Sequence, residues 1–389
     1  MPVLNRIAEF HDEIAAWRQD LHAHPELLFD TVRTSAMVEE RLRQFGCDEI
    51  ITGLGRTGVV GIIKGRQDTS GRVIGLRADM DALPVTERTG KPYASTVAGK
   101  MHACGHDGHT AMLLGAAKYL AETRNFDGRV AVIFQPAEEG GGGGREMLED
   151  GLLERVPVDE FYGLHNWPGM PAGHFGIRSG GIMAATDRFY IDISGRGGHA
   201  ARPQTTIDPI IVAAQMIMGL QAIVSRNVDP LQSAVLSVTM VEAGEADNVI
   251  SQSAKITGTV RTLDGAVQDL IEARLGAFVP TMARSFGAEA NIRYVRGYPV
   301  TVNTPEQTAF AAAVARDVAG GERVDEDAPP SMGGEDFSFM LEQRPGAYIF
   351  LGNGETSELH TDGYDFNDEI IPVGASYWVR LVEKALPVA

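Results

Sequence analysis

The chain has 389 residues, 44% of them hydrophobic and 22% charged, with a net charge of −18. That length holds two domains, or one large domain with an insertion, and the composition is that of an ordinary globular protein. The acidic balance argues against nucleic acid and anionic membrane surfaces as partners. Cys47 and Cys104 are too few for a disulfide framework, so a reducing cytoplasm fits. The first residues, Met1–Arg6, lack the charged-then-apolar pattern of a secretory signal, and no uninterrupted apolar stretch has membrane-spanning length.

In chain order, residues 4–45 read as helix. Ile7, Phe10, Ile14 and Trp17, then Val38, Leu42 and Phe45, repeat at helical spacing on either side of the His24-Pro25-Glu26 break. Val59–Ile63 and Arg72–Leu76 read as strands separated by a turn, Thr110–Glu122 as helix, Val130–Gln135 as a buried strand, and Arg145–Asp150 as the start of a helix. Apolar strands alternating with helices indicate an α/β sheet covered on both faces. The texture changes near residue 185. Asp187–Ser194, Ala234–Glu242, Ala254–Leu263 and Ala290–Tyr298 read as strands, most of them alternating apolar and polar. Ile207–Val224 and Val267–Phe286 read as helices. The order β-α-β-β-α-β is the ferredoxin-like signature, and open antiparallel strands of this kind often pair with a second copy. After Pro299 the first texture resumes, with a helix at Thr308–Ala319 and a strand at Ala347–Leu351. A smaller domain, residues 185–298, is therefore expected inside a larger one made of 1–184 and 299–389.

The segment Met101–Thr110 concentrates His102, Cys104, His106 and His109 among small residues. Thiolate and imidazole are preferred ligands of zinc and similar borderline metals, and a core element has no use for so many. Four further islands each follow an apolar run: Arg77–Pro84 with Asp79 and Asp81, Gln135–Glu139, Gly163–Asn166 with His165, and Leu359–Asp362 with His360. Sites in open α/β sheets collect at the carboxyl ends of strands, so these ends point to one convergent site. A two-metal hydrolase needs about five ligands and a general base beside the water. Cys104, His106, Glu139, His165 and His360 supply the ligands. Neighbouring side chains diverge on an extended strand end, so Glu139 can bind metal while Glu138 acts as base. Asp81 and Asp79 can orient the ligand imidazoles.

Plainer readings stand beside these. Glu138 and Glu139 can form a solvated turn before the run Gly140–Gly144, which lacks the Lys-Ser/Thr of a phosphate loop. His165 can be a core histidine, and His22 and His24 can serve packing at a helix break. His199, in the glycine-rich loop Gly195–Pro203, can donate to a developing oxyanion or can be a turn histidine. Asn248 and Arg261 end later strands. Arg261 is placed to pair with a carboxylate, although an arginine on a surface strand is commonplace.

These islands, in this order, resemble the metal-dependent aminoacylase and carboxypeptidase superfamily. The branch they match is that of hippurate hydrolase, N-acyl-amino-acid amidohydrolase and auxin-amino-acid conjugate hydrolase. The resemblance runs from Arg18–Glu26 to His360, and Met101–Thr110, Pro136–Glu139, Gly197–Pro203 and Met332–Phe337 carry it in combination. It implies a mixed-sheet dinuclear-metal hydrolase domain of α/β class with an inserted α+β (ferredoxin-like) lid and dimerisation domain. It further implies two divalent metals on Cys104, His106, Glu139, His165 and His360, with manganese foremost and zinc, nickel or cobalt as alternatives. Glu138 is implied as general base, and His199 as oxyanion donor reaching the partner subunit's site in a dimer. Asn248 and Arg261 are implied as substrate contacts, and Gly333 and Gly334 as the border of the acyl pocket. Two positions depart from the branch pattern: Asp30 stands where Glu is usual, and Ser251 where Pro is usual.

The reading is a metal-dependent amidohydrolase that cleaves N-acyl amino acids of acetyl, benzoyl or indoleacetyl type through a metal-activated water. It is expected in the cytoplasm as a homodimer or higher homo-oligomer. One rival is a hydrolase with Cys104 as nucleophile and His106 or His109 as its base. Another is a non-catalytic metal-binding or small-molecule-binding protein on the same scaffold.

Overall fold

The computed structural model describes residues 3–388. The chain forms two compact units. The first comprises Met1–Gly180, Val302–Pro329 and Asp336–Ala389, and the second Gly181–Thr301 and Pro330–Glu335. The short segment Pro330–Glu335, which the sequence reading leaves with the last third of the chain, joins the second unit.

The first unit is built on an eight-stranded mixed sheet. Its order is Glu49–Leu54, Gly58–Lys64, Arg129–Gln135, Val73–Asp79, Glu160–Pro168, Gly346–Gly354, Phe175–Gly176 and Val324–Asp325. Every residue of Val73–Asp79 is buried, as are all but the first of Arg129–Gln135. Strands buried on both faces read as continuous apolar runs rather than alternation, which is the texture the sequence shows here. The adjacent runs at 59–63 and 72–76 do not pair with each other, because Arg129–Gln135 lies between their strands. The expected N-terminal helix is three helices, Asn5–Glu9, His11–Ala23 and Val32–Phe45. The helix His106–Thr123 is buried along most of its length and packs against them and against the C-terminal helix Ile371–Ala385.

The second unit is a four-stranded antiparallel sheet in the order Ala234–Ala243, Ser253–Thr262, Ala185–Ser194, Glu289–Arg296. Two helices, Pro209–Asn227 and Gly265–Ser285, pack on one face. Phe189, Ile191 and Ile193 meet Val212, Met216 and Leu220 from the first helix and Ile271, Leu275 and Val279 from the second. Pro209–Asn227 starts cleanly, with Pro209 in its first turn and the Asp208 carboxylate accepting from the Ile210 N–H. By length and composition this helix could cross a membrane. Its stripe Val212, Met216, Leu220 and Ile223 is buried in the unit's core, while Ile210, Ile211 and Met218 are exposed.

Leu220 is fully buried in this core. Leu220→Ala is expected to lower the unfolding free energy of the second unit by about 2–5 kcal/mol. Urea denaturation checks this, and a loss under about 1 kcal/mol would contradict the packing described.

Candidate metal centre

Four neighbouring strands run parallel: Arg129–Gln135, Val73–Asp79, Glu160–Pro168 and Gly346–Gly354. Asp79 and Asp81, and Glu138 and Glu139, come from the carboxyl ends of the first two, as the sequence pattern requires. The other two placements differ. His165 lies inside its strand, which continues to Pro168. His360 lies in the loop beyond Gly354 and is held by its own N–H, which donates to the Ala103 carbonyl at 2.8 Å.

Three groups of candidate ligand atoms overlap. Atoms of Cys104, His106 and His165 lie within 4.8 Å of one another, as do those of Cys104, Glu139 and His360, and those of His106, Glu138 and Glu139. The Cys104 sulfur belongs to the first two groups, so it stands between two possible cation positions. Thiolate, imidazole and carboxylate together suit borderline divalent ions. Both ring nitrogens of His106 are buried without a hydrogen-bond partner among the described residues. Its nearest carboxylate oxygens are on Asp81 at 3.4 Å and Asp79 at 3.8 Å. A buried imidazole with neither nitrogen engaged fits a ligand position.

His165 is prepared in the same sense. Its Nδ1 lies 2.6 Å from the Asn166 carbonyl, which can only accept, so the ring proton sits there. Nε2, 3.4 Å from Cys104 Sγ, then presents a lone pair. Burial and the neighbouring His109 push this ring well below the usual histidine range, which keeps it neutral. Burial alone would lower His106 too, but Asp79 and Asp81 outweigh it and raise this ring to about 10. The carboxylate cluster thus draws positive charge onto the one imidazole at its centre. Burial opposes ionisation of Asp79 as well, but His106, Arg77 and His109 hold it well below the usual carboxylate range. Burial pushes Asp81 up, with Glu139 adding to the rise while His106 opposes it. Burial and the carboxylates of Glu139, Glu138 and Asp79 push the Cys104 thiol well above its usual value.

Asp81 holds the carboxylate pair by its backbone. It accepts from the Glu138 N–H at 2.9 Å and the Glu139 N–H at 3.1 Å. This makes it a positioning residue rather than a group at the reacting atoms. The loop it grips folds back tightly. A Cβ on Gly143 would lie 1.7 Å from the Pro136 carbonyl oxygen, and one on Gly141 2.6 Å from Ala137 Cβ. The glycine run is therefore a steric requirement of the Glu138–Glu139 loop. Ala137 itself is left-handed, with φ 55°, and His360 likewise, with φ 64°. Two strained non-glycine residues flank or form the site, where such strain commonly collects.

Several members of the site lay outside the sequence assignment. His109 is not among the expected ligands. Its Nδ1 donates to Asp79 at 2.6 Å, and its Nε2 accepts from the Asn166 N–H at 2.9 Å. Arg77 is fully buried, pairing with Asp79 at 2.6 Å and Asp336 at 2.9 Å. Asp336 also accepts from the Gly144 N–H at 2.9 Å, which ties the quoted Met332–Phe337 motif to the glycine loop. The only signals for these roles were an arginine inside an apolar run and an acid in an unassigned motif. His22, read as packing or function, is bound by Asp107 at 2.8 Å and lies 3.3 Å from Glu87. Arg18 reaches the same Asp107 at 3.5 Å and Asp368 at 2.7 Å. The residue after the candidate ligand His106 is thus anchored to the helix His11–Ala23.

In the second unit, His199 and Asn248 come together on a two-stranded ribbon. His199 pairs with Val249, and the Ala200 N–H donates to the Asn248 carbonyl at 3.0 Å. Arg261 lies half-buried on the central strand Ser253–Thr262 and donates to Thr259 Oγ1 and to the Val260 carbonyl. No carboxylate among the described residues pairs with it. Gly334 packs against Thr186, whose Cγ2 would lie 2.1 Å from an added Cβ, and the Gly333 carbonyl accepts from the Ala184 N–H at 2.9 Å.

A family model described as peptidase family M20/M25/M40 matches residues 75–384. The chain is 42% identical over 386 residues to a hippurate hydrolase of Campylobacter jejuni, covering 99% of this chain and 100% of that one. It is 40% identical over 373 residues to an N-acetylcysteine deacetylase of Bacillus subtilis, with 96% of each covered. The fold matches the crystal structure of the Bacillus subtilis YXEP protein, described as a dinuclear metal binding peptidase, with a TM-score of 0.86 and 36% identity, covering 98% of this chain and 100% of that one.

The Asp107–His22 pair generates a pH prediction. Burial opposes the charge on His22, but Asp107 and Glu87 outweigh it and raise the ring from its ordinary value near 6.5 to about 9. A raised folded-state value stabilises fully below pH ~6.5, and that contribution disappears as pH rises through about 9. The unfolding free energy is therefore expected to fall between about pH 6.5 and 9, and to fall less steeply in His22→Asn. Equilibrium unfolding across that window checks it, and parallel pH profiles in the two proteins would refute it.

Proposed function

Because the chain belongs to peptidase family M20/M25/M40, and because its Glu138–Glu139 pair stands beside an open imidazole and a buried thiol, we propose that it is a metal-dependent amidohydrolase releasing a carboxylic acid and a free amino acid from N-acyl amino acids. The observation that carries this reading is the division of labour in the carboxylate pair. Glu139 shares one ligand group with Cys104 and His360 and another with His106, whereas Glu138 joins it only in the second of these. Glu139 suits a ligand between two sets of donors, and Glu138, grouped also with Glu335 and Asp336, suits the base.

Cys104, His106, Glu139, His165 and His360 would hold two divalent ions, manganese foremost, with zinc, nickel and cobalt as alternatives. Such ions polarise a water and the substrate carbonyl. Glu138 accepts a proton from the attacking water and returns it to the leaving amine. His199 donates to the oxygen that becomes negative. Arg261 pairs with the amino acid's carboxylate, Asn248 hydrogen-bonds the substrate, and Gly333 and Gly334 border the acyl pocket. The names of the relatives support acetyl and benzoyl groups as first candidates, with indoleacetyl next. The raised Cys104 thiol weighs against a cysteine nucleophile, which needs a lowered one. A cytoplasmic location agrees with two free cysteines.

We further propose a homodimer formed through the second unit, which would act as both lid and dimerisation domain. Its edge strand exposes Val235, Met240 and Val241, and its helix Pro209–Asn227 exposes Ile210, Ile211 and Met218. An unpaired edge beside an apolar helix face suits a two-fold contact with a second copy.

Hydrolysis of N-acetyl, N-benzoyl and indoleacetyl amino acids, read as released amino acid, tests the reaction. Release is expected with manganese-loaded protein and not after chelation. Glu138→Gln should lower kcat by about 10²–10⁴ while keeping its metal, and Glu139→Gln should lose metal by elemental analysis. Release that survives chelation would reinstate Cys104 as nucleophile. Sedimentation velocity tests the assembly: a dimer is expected for the natural chain and a monomer for Met218→Glu with unchanged circular dichroism. A monomeric natural chain would rule the dimer out.

A further inference from the structure

We propose that the backbone N–H of Ala201 fixes the tautomer and direction of the His199 ring, so that His199 meets its substrate as an Nε2–H donor and never as a proton acceptor. The inference deepens the amidohydrolase reading and rests on it for the catalytic half.

The Ala201 N–H donates to His199 Nδ1 at 3.1 Å. A nitrogen of a neutral imidazole that accepts a hydrogen bond carries no proton, so the proton is on Nε2. The turn that supplies this donor is itself closed, because the Arg202 N–H donates to the His199 carbonyl at 2.8 Å. The preceding amide, that of Ala200, holds the Asn248 carbonyl at 3.0 Å. Two consecutive N–H groups thus clip the ring and the neighbouring strand of the ribbon. His199 is exposed, and Nε2 has no partner among the described residues. Rotating the ring away breaks the Nδ1 bond. Moving the proton to Nδ1 would set two donors against each other and leave a lone pair on Nε2 facing a developing oxyanion. A donor aimed where negative charge appears stabilises the transition state, and a lone pair there opposes it.

Ala201 acts here through its backbone, so side-chain replacement does not probe it. Nonsense suppression can insert L-lactic acid at position 201, turning the amide into an ester that lacks the N–H, with alanine inserted by the same route as control. In ¹⁵N-histidine-labelled protein the control is expected to show a bare Nδ1 and a protonated Nε2. In the ester the two nitrogen shifts should move towards each other, and kcat should fall by about tenfold with KM changed less than about twofold, short of the 10²–10³ lost with a whole oxyanion donor. A control ring protonated on Nδ1, or an ester with unaltered nitrogen shifts, overturns the inference. Altered shifts with an unaltered kcat overturn its catalytic half. If neither protein hydrolyses any N-acyl amino acid yet the shifts respond, the tautomer assignment stands and the amidohydrolase reading falls.

Discussion

The structure depends on the compensation of negative charge in one buried place. Asp79, Asp81, Glu138 and Asp336 are each at most 7% exposed, and Glu139 is nearly as enclosed. Unpaired carboxylates cannot be buried in this number, because desolvation would protonate them or unfold the sheet end. Arg77 supplies one fixed positive charge and divides it between Asp79 and Asp336. His106 takes up a proton well past its ordinary range under the same carboxylates, a proton it must release to bind a metal. The pair of divalent cations proposed above would take the place of that proton and remove the remaining deficit. Ligand chemistry and charge balance therefore point the same way.

Backbone geometry does the rest of the work at this end of the sheet. Four parallel strands bring their carboxyl ends side by side, but the candidate ligands stand variously on loops, a helix start and a strand, and several of these segments are pinned separately. Asp81 grips the amides of Glu138 and Glu139. Ala103 holds His360, and the Asn166 side chain holds the Cys104 carbonyl at 2.7 Å. Gly105 lets this last contact form, since a Cβ there would lie 2.3 Å from Asn166 Nδ2. Asp107, next to His106, is anchored by His22 and Arg18 on a distant helix. The segment that carries Cys104 and His106 is thus gripped from both sides.

Much of this was legible in the sequence, for a physical reason. Metal ligands are rare residue types in unusual density, and strand ends are marked by apolar runs that stop abruptly. The five proposed ligands and the Glu138–Glu139 pair stood out on those grounds, and the ferredoxin-like order of the second unit followed from alternation alone. What stayed hidden was whatever depends on a long-range partner. Arg77 sits in a strand whose every other residue argues for burial, and nothing local announces Asp336 as its partner 259 positions away. The same holds for His22 with Asp107, and for the interposed strand that separates two runs which look like neighbours. The glycines after Glu139 were visible, but their reason, a loop doubling back on Pro136, is a three-dimensional one.

The net charge of −18 at first sight opposes the anionic substrate proposed above. Local charge resolves the opposition. Asp187, the acid whose charge acts on Arg261, is itself engaged: it accepts from Gln268 at 2.9 Å, Tyr294 at 2.5 Å and the Gly297 N–H at 3.2 Å. Burial lowers Arg261 from its ordinary value, and Asp187 only partly offsets this, yet guanidinium stays charged at any physiological pH. A half-buried cation with no carboxylate of its own keeps its charge available to a ligand. At short range such a group outweighs a diffuse surface charge that salt screens within about 10 Å. The acidity of the chain therefore bears on its solubility and its macromolecular partners, and leaves the choice of small substrate to a few residues.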